Sequence, residues 1–271
     1  MLKLVATDLD GTLLHTDGTV TPRTREALTA IEEQGVAVVF VTGRPIRWMD
    51  ALWEHVGGHG LAICSNGAIV YDVHARAVSK ASTISAEIGL RVSEVLRAAI
   101  PDTTFALEKS DGFAKEAGFM PRVPPPPDLE IGPLTEIFDD DVVKLLVRHE
   151  DMDPEKFWAE VESHVGDTVT TTWSSTGALV EISAQGVSKA STLALLCEER
   201  GINPAEVIAF GDMPNDLPLL EWSGTSYAMA NAHPMVRELA DHVAPSNDAD
   251  GVAATLEQLF ALPGRGAQRA P

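Results

Sequence analysis

Residues 2–13 read LKLVATDLDGTL, and this stretch decides the fold class. Leu2–Ala6 is a short, nearly continuous apolar run, which is typical of a strand buried on both faces of a parallel sheet. Two carboxylates, Asp8 and Asp10, follow the run directly. Open α/β sheets bind ligands at the carboxyl ends of their strands, so both acids stand where an active site is expected. Taken alone, the same residues also fit a plain Asp-Gly turn with Asp8 as its cap.

More strand-sized apolar runs continue this pattern, at Val36–Val41, Leu61–Cys64 and Val207–Phe210. Between the first two strands, Thr21 is predicted to cap a helix that starts with Pro22 and stops at Gly35. A second helix is predicted over Ser188–Arg200. The alternation of strands and helices predicts a doubly wound, parallel-sheet core of Rossmann-like α/β type, built from both ends of the chain.

The middle of the chain follows a different pattern. It combines two helical segments with two strand patterns, at Ala86–Ala99, Pro154–His164, Val142–Val147 and Val169–Ile182. These features predict an inserted α+β domain at residues 83–186, between core segments 1–82 and 187–271. Pro121–Pro127 is predicted to be a stiff surface loop because proline fixes φ and donates no hydrogen bond. The tail from Pro263 is expected to fray.

Composition narrows the possible partners. The chain has 271 residues and a formal charge of −20, so nucleic acid and anionic membranes are not expected to bind it. Two cysteines far apart, Cys64 and Cys197, and no apparent secretion signal favour a cytoplasmic location. No apolar run reaches the roughly 20 residues of a membrane span. We expect a monomer or a weak homo-oligomer.

The second strand ends in Thr42, Gly43 and Arg44. A hydroxyl and an unobstructed glycine amide can cradle a phosphate, although the same residues also fit a plain strand-to-helix turn. Lys189 follows Ser188, the predicted N-cap of a helix, so its ammonium and the positive helix end would face the same anion. The alternative for Lys189 is a solvated surface position.

The strand Val207–Phe210 is followed by GDMPND at residues 211–216. Asp212 and Asp216 therefore bring two more carboxylates to the same edge of the sheet as Asp8 and Asp10. A cation must offset the electrostatic repulsion among these carboxylates, and an oxygen-only ligand set favours Mg²⁺. Asn215 and Asp216 also fit a helix N-cap.

Other polar residues have simpler interpretations. Asn66 and the glycine after it fit a hairpin turn, and Asp139–Asp141 fit a solvated loop. His15 is interpreted as a surface loop residue, because the histidines show no metal-ligand spacing. Trp173 would either pack in the inserted domain or stack on a sugar.

Four segments have now been described: the one with Asp8 and Asp10, the one with Thr42 and Gly43, the one with Lys189, and residues 211–216. In this order and at these strand ends, they resemble the haloacid dehalogenase-like phosphatases of the Cof-type sugar-phosphatase branch. The resemblance extends to four further stretches, SNGA at 65–68, GVSK at 186–189, NAHP at 231–234 and DGVA at 250–253. It implies that Asp8 is the nucleophile of a hydrolysis through an aspartyl phosphate, and that Asp10 is first the general acid and then the general base.

The same resemblance implies roles for the remaining site residues. Thr42, the Gly43 amide and Lys189 would hold the phosphoryl oxygens, and Leu9, Asn66 and Asn215 would also contact the substrate. Mg²⁺ would be bound by Asp8, the main-chain carbonyl of Asp10 and Asp212, with Asp216 reached directly or through water.

In the resembling family an inserted cap covers the core site and selects the substrate. Small sugar phosphates, polyol phosphates and phosphorylated cofactors are all candidate substrates. Lys144, Trp173 and Glu181 are the candidate cap contacts, because hydroxyl-rich leaving groups need donors and acceptors. A phosphomutase or phosphotransferase is the alternative enzyme, and a non-catalytic phosphometabolite-binding regulator is disfavoured because Asp8 and Asp10 are both present.

Overall fold

The structure is a computed structural model that describes residues 2–50, 52, 60–110, 112–121, 123–174 and 177–262. In chain order the strands are β1 Leu4–Thr7, β2 Ala37–Val41, β3 Leu61–Cys64, β4 Ile69–Asp72, β5 Ala77–Ala81, β6 Thr104–Lys109, β7 Gly112–Lys115, β8 Glu130–Ile131, β9 Val142–Arg148, β10 Thr170–Thr172, β11 Leu179–Ser183, β12 Val207–Gly211, β13 Thr225–Met229 and β14 His242–Ala244. The helices are α1 Pro22–Glu33, α2 Ala86–Ala99, α3 Leu134–Ile137, α4 Pro154–Val165, α5 Lys189–Glu199, α6 Leu217–Trp222, α7 Pro234–Leu239 and α8 Gly251–Leu259.

The larger sheet has the strand order β14-β13-β12-β1-β2-β3-β4-β5. Its strands run parallel from β14 to β3, and β4 and β5 return antiparallel. Leu4 on β1 pairs with Ala37 on one side and with Val207 on the other. Every residue of β1 is buried, as a central strand with both faces covered requires. Both ends of the chain therefore build one core, which confirms the predicted fold class.

Local chemistry explains where the helices next to the site begin. Thr21 accepts a hydrogen bond from the Thr24 amide at 3.2 Å, and Pro22 occupies the first helical position of α1. Ser188 accepts one from the Ser191 amide at 3.1 Å at the start of α5. Both N-caps agree with the sequence prediction.

The smaller sheet has the strand order β10-β11-β9-β6-β7-β8. All its pairings are antiparallel except the one between β7 and β8. Its central strand β9 is buried along its whole length, and a hydrophobic cluster of its own joins this sheet to α2 and α4. We call this sheet with α2, α3 and α4 the cap.

Four details complete the comparison with the sequence predictions. The strand pattern over Val169–Ile182 forms two strands, β10 and β11, and the described residues between them belong to neither. The described residues of Pro121–Pro127 form neither helix nor strand, as expected of a proline-rich loop. The tail from Pro263 lies outside the described residues. The limits 83 and 186 of the insert remain predictions, although sheet membership changes after β5 and again after β11.

No helix in the described ranges combines the length and the apolar character that crossing a membrane demands.

Candidate active site

The segment after β1 folds against the second acidic segment. The Leu14 amide donates to the Leu9 carbonyl at 2.8 Å and closes one wide turn. Gly11 within this turn has φ +72°, and a Cβ there would lie 2.3 Å from Asp212 Oδ2. Thr12 donates its hydroxyl to Asp212 Oδ1 at 2.8 Å. Glycine is therefore required for the two acidic segments to approach each other.

Lys189 lies between two carboxylates at the start of α5. Its Nζ donates to Asp8 Oδ1 and to Asp216 Oδ1, each at 2.7 Å, and its side chain is 1% exposed. Burial lowers the pKa of Lys189, but the two carboxylates outweigh burial and hold that pKa above its usual value. Lys189 is thus a charged, buried residue of the site and not a solvated surface lysine.

Three buried carboxylates surround this ammonium. Asp8, Asp212 and Asp216 place carboxylate oxygens within 4.8 Å of one another. Burial raises the pKa of Asp8 well above its usual value, and Asp216 and Asp212 add to the effect while Lys189 opposes it. Burial and the neighbouring Asp216 raise the pKa of Asp212 to about 7. The negative charge exceeds what Lys189 offsets, and the hard oxygen donors fit Mg²⁺.

Asp216 is the most constrained of the three acids. Its Oδ2 accepts hydrogen bonds from the backbone amides of Asp212 at 3.0 Å and Met213 at 3.1 Å. Its other oxygen is bonded to Lys189, and the side chain is fully buried. Asp216 therefore fixes the positions of both Lys189 and the Asp212 segment.

Asp10 lies apart from that cluster, at the open side of the cleft. Its side chain is 57% exposed and is held by a bidentate pair with Arg44, whose Nε donates to Oδ2 at 2.6 Å. The hydrogen bond with Asp10 also raises the pKa of Arg44. Sequence reasoning gave Arg44 no role, although its position after β2, the neighbour of β1, was an available signal.

The residues predicted to hold phosphate also lie at this edge of the sheet. Thr42 is fully buried after β2, and its hydroxyl accepts from the Arg44 amide at 3.1 Å. Gly43 lines the cleft, and a Cβ there would lie 3.0 Å from Asn66 Oδ1. The Leu9 side chain is buried in the core, so any contact of Leu9 with an anion must come from its backbone.

Asn66 occupies the turn between β3 and β4, which confirms the predicted hairpin. Its Nδ2 donates to Thr172 and to Glu181 Oε2 of the cap, each at 3.0 Å. Its Oδ1 accepts from Asn215 Nδ2 at 3.0 Å. Asn66 thereby links the cap to the segment that carries the acidic cluster.

A buried ion pair extends this link into the cap. Lys144 on β9 is 1% exposed, and its Nζ donates to Glu181 Oε1 at 2.5 Å and to the Gly43 carbonyl at 2.9 Å. Burial by itself raises the pKa of Glu181, but Lys144 and hydrogen bonds from Ser174 and Asn66 outweigh burial, so the pKa lies below its usual value. Sequence alone left open which cap residues face the site. In the structure, Lys144 and Glu181 face it.

A cleft of about 250 Å³ lies between the core and the cap. Its core side includes Asp8, Asp10 and Gly43, and its cap side includes Glu108, Lys144 and Glu181. The cleft therefore joins a carboxylate cluster with a fixed cation to a wall of charged cap residues.

Trp173 packs where the cap meets the core. It is 6% exposed, with its ring centroid 6.1 Å from that of Trp158 and 5.4 Å from that of His233. This arrangement makes Trp173 a packing residue at the junction.

The two groups given simpler interpretations above, Asp139–Asp141 and His15, have local partners of their own. Asp139 and its two acidic neighbours are exposed, and Asp139 accepts from Lys109 at 2.8 Å. His15 Nε2 lies 2.9 Å from Asp250 Oδ1, next to α8.

A doubly wound core that presents buried carboxylates at the ends of parallel strands, beneath an inserted cap, defines the protein as a capped α/β enzyme. Residues 5–256 match the family model described as haloacid dehalogenase-like hydrolase. The chain belongs to that family.

Named relatives cover nearly the whole chain. The chain is 30% identical to pyridoxal phosphate phosphatase YbhA of Escherichia coli, over 93% of this chain and 96% of the relative. It is 28% identical to 5-amino-6-(5-phospho-D-ribitylamino)uracil phosphatase YitU of Bacillus subtilis, over 96% of this chain and 98% of the relative. A solved structure of a haloacid dehalogenase-like hydrolase from Bacteroides thetaiotaomicron aligns with a TM-score of 0.74 and 26% identity, covering 96% of this chain and all of that one.

Proposed function

We propose that this hydrolase is a Mg²⁺-dependent phosphatase of small metabolite phosphate esters, with Asp8 as its nucleophile. One observation carries the proposal: the Asp8 carboxylate lies 2.7 Å from the Lys189 ammonium, within a buried acidic cluster that opens into the cleft. The names of the two relatives, each a phosphatase of a phosphorylated small molecule, support the same substrate class.

In the first step, an Asp8 carboxylate oxygen attacks phosphorus and the bond from phosphorus to the ester oxygen breaks. Lys189 offsets the repulsion between the carboxylate and the phosphoryl oxygens, while the Thr42 hydroxyl and the Gly43 amide donate to those oxygens. Asp10 gives its proton to the departing alkoxide, which typically accelerates such a step by about 10²–10⁴-fold.

In the second step, Asp10 takes a proton from water, and the resulting hydroxide attacks the phosphorus of the aspartyl phosphate. The bond from phosphorus to Asp8 breaks, which releases inorganic phosphate and restores the carboxylate. Arg44 acts through Asp10, because its bidentate pair fixes that carboxylate at the mouth of the cleft.

Asp8, Asp212 and the main-chain carbonyl of Asp10 would hold Mg²⁺, which when bound offsets the negative charge that builds on the phosphoryl group. Asp216 would reach the cation directly or through water.

The test is phosphate release by purified protein from a broad panel of phosphate monoesters, with Mg²⁺ and with chelator. The expected result is Mg²⁺-dependent release that Asp8→Asn abolishes while the circular dichroism spectrum stays unchanged. Asp140→Asn, at an exposed acid of the cap, is the matched control and keeps full activity. Rearranged phosphosugar without free phosphate would point to a phosphomutase, and wild-type activity in Asp8→Asn would exclude Asp8 as the nucleophile.

A further inference from the structure

Residues 42–44, which follow β2 and which we call the anion loop, carry three consecutive carbonyl groups that all have donors. The first and third carbonyls accept from the backbone amides of Asn66 and Ser65, each at 3.0 Å. Both donors belong to the turn between β3 and β4, within the core. The middle carbonyl, that of Gly43, accepts from Lys144 Nζ of the cap at 2.9 Å. One peptide group of this core loop is therefore fixed by the cap.

That peptide group is held from both of its ends. The Gly43 carbonyl and the Arg44 amide lie in one plane, so fixing one end restrains the other. The Arg44 amide donates to the Thr42 hydroxyl oxygen at 3.1 Å. Lys144 thus holds the carbonyl end and Thr42 holds the amide end. Because glycine permits many backbone conformations, this peptide depends on such partners to keep one orientation.

The orientation of Gly43 decides what the anion loop offers to the cleft. Gly43 lines the cleft, and its amide has no acceptor among the residues that the structure describes. A phosphoryl oxygen can supply that acceptor, because a backbone N–H is an obligatory donor. Asn66 fixes the peptide before Gly43 and Lys144 fixes the peptide after it, so the donor is in place before the anion binds. Such preorganisation is what stabilises a charged transition state.

Lys144 is itself held in one position. Its side chain is 1% exposed, and its ammonium also donates to Glu181 Oε1 at 2.5 Å. Glu181 Oε2 accepts from the Asn66 side chain at 3.0 Å and from the Ser174 hydroxyl at 2.6 Å. Asn66 therefore bonds to the anion loop through its backbone and to the cap through its side chain. A charged donor also strengthens the bond to the Gly43 carbonyl, since charge-assisted hydrogen bonds are about twice as strong as neutral ones.

We propose that Lys144 is a positioning residue, which fixes the peptide between Gly43 and Arg44 and so completes the anion loop of the core from the cap side. Lys144 then acts on the phosphoryl group, through Gly43, and not on the leaving alcohol. Its effect is common to all phosphate esters, because they all present the same phosphoryl group. This inference rests on the proposed phosphatase function and adds a cap residue to the groups that prepare the site for phosphate.

The test removes the Lys144 ammonium without leaving a buried charge unpaired. Lys144→Met/Glu181→Gln does so, because the glutamine keeps a side-chain oxygen for Asn66 and Ser174. Glu181→Gln alone keeps the ammonium beside the Gly43 carbonyl and is the reference variant. Lys144→Met/Glu181→Leu is the second version, because replacing a buried ion pair by apolar residues is often neutral for stability. Circular dichroism and thermal unfolding establish that each variant is folded.

Lys115→Met is the matched control in the cap. Lys115 on β7 is also a buried lysine, 8% exposed, and its Nζ donates to the Phe119 carbonyl at 2.8 Å. Its other hydrogen bonds go to the carbonyls of residues 116 and 117, also in the cap. Lys115→Met therefore reports the effect of losing a buried lysine without a change at the anion loop.

Calorimetry with inorganic phosphate in the presence of Mg²⁺ measures binding of the anion alone, without a leaving group and without turnover. Lys144→Met/Glu181→Gln should bind phosphate about tenfold more weakly than Glu181→Gln, the scale of one hydrogen bond to a charged group. Lys115→Met should bind phosphate as the wild type does. In the Lys144 variant, kcat/KM for 4-nitrophenyl phosphate and for glycerol 1-phosphate should fall by similar factors, up to about 10²-fold, the scale for a misplacement of about 1 Å.

A double-mutant cycle separates positioning from a general loss of stability. Thr42→Val removes the acceptor of the Arg44 amide and so frees the same peptide group from its other end. When Thr42→Val is already present, adding Lys144→Met to Glu181→Gln should weaken phosphate binding much less than it does without Thr42→Val. Two independent structural contributions would add instead.

Three results would overturn the inference: unchanged phosphate affinity in Lys144→Met/Glu181→Gln, full additivity with Thr42→Val, or an equal loss of phosphate affinity in Lys115→Met. A loss confined to glycerol 1-phosphate would also overturn it, and would assign Lys144 to the leaving alcohol. Each of these results leaves the phosphatase proposal standing. Absence of turnover with every ester, in a wild type that binds phosphate, would instead overturn the proposed function.

Discussion

Replacing Lys189 with methionine removes the cation from the carboxylate cluster while keeping the length of the side chain. Lys189 is fully buried and bonded to both Asp8 and Asp216. Removing one partner of a buried ion pair typically costs about 3–5 kcal/mol, because the other charge stays buried without compensation. Whole domains are stable by only about 5–15 kcal/mol, so the loss should be large. We therefore expect Lys189→Met to unfold at much lower urea concentration than the wild type.

The activity of this variant should fall with its stability. Lys189 is the group that opposes the rise in the pKa of Asp8, so its removal raises that pKa further and leaves more of the proposed nucleophile protonated. The loss of one preorganised electrostatic group predicts a decrease of about 10²–10³-fold in kcat.

Urea unfolding in the presence of chelator measures the free energy of unfolding of Lys189→Met. Lys156→Met, at an exposed lysine of α4, is the control. Mg²⁺ at 100 times its dissociation constant should raise the free energy of unfolding of the variant by about 2.7 kcal/mol. Adding Asp8→Asn to Lys189→Met should also recover stability, since it removes one uncompensated charge. A loss below about 1 kcal/mol relative to the control variant would refute the argument that Lys189 balances the cluster.

Three further outcomes follow from the site. Asp10→Asn should slow steady-state hydrolysis of both glycerol 1-phosphate and 4-nitrophenyl phosphate, because the second step needs Asp10 as the base for either ester. The first step should slow by about 10²–10⁴-fold for glycerol 1-phosphate but should be largely spared for 4-nitrophenyl phosphate, whose leaving group needs no proton and should appear as a rapid burst; equal losses in the first step would contradict Asp10 as the acid. Mg²⁺ should raise the wild-type Tm by about 5 °C or more in a thermal scan, and Asp212→Asn should lose most of that shift, whereas an equal shift in both would place the cation elsewhere. Gly67→Ala should lower the free energy of unfolding by about 2 kcal/mol or more, because φ is +104° and the new Cβ would lie 2.2 Å from the Ser188 carbonyl oxygen. Gly186→Ala, also at positive φ but with open space around it, should lower the free energy of unfolding by less. Equal decreases in the two variants would show that backbone strain alone sets the loss of stability.

The convergence of the acidic segments at one edge of the sheet could be predicted because its signals are local in sequence. A buried strand followed at once by acids places Asp8 at the carboxyl end of that strand without any knowledge of tertiary contacts, and parallel strands bring their carboxyl ends to one edge. The capped helix that starts at Lys189 was equally visible, because an N-cap and its partner lie three residues apart.

The contacts between core and cap could not be predicted, because they depend on register and on the fit of two sheets. Glu108 pairs with Lys144 across β6 and β9, and Glu181 lies opposite Leu146 on β11 and β9. A register change of one residue would turn these side chains to the opposite face. The lysine within the apolar strand β9 was still a signal, since a buried lysine needs a partner.

Arg44 illustrates the remaining gap. Its sequence position, two residues after Thr42, says nothing about the direction of a long flexible side chain. Only the folded chain shows two of the three guanidinium nitrogens, Nε and Nη2, on Asp10.

The pairing of β1 with strands on both sides has a consequence for synthesis of the chain. β2 follows β1 closely, but β12 arrives only after the whole cap, and Thr12 and Asp212, which bond in the folded site, lie 200 residues apart. At about 5–20 residues per second, one edge of β1 remains unpaired for roughly 10–40 s on the ribosome. An unpaired apolar strand edge invites wrong pairing with other chains. The insert therefore also sets how long the nascent core stays open to aggregation, and chaperone demand should fall in a chain whose cap is shortened.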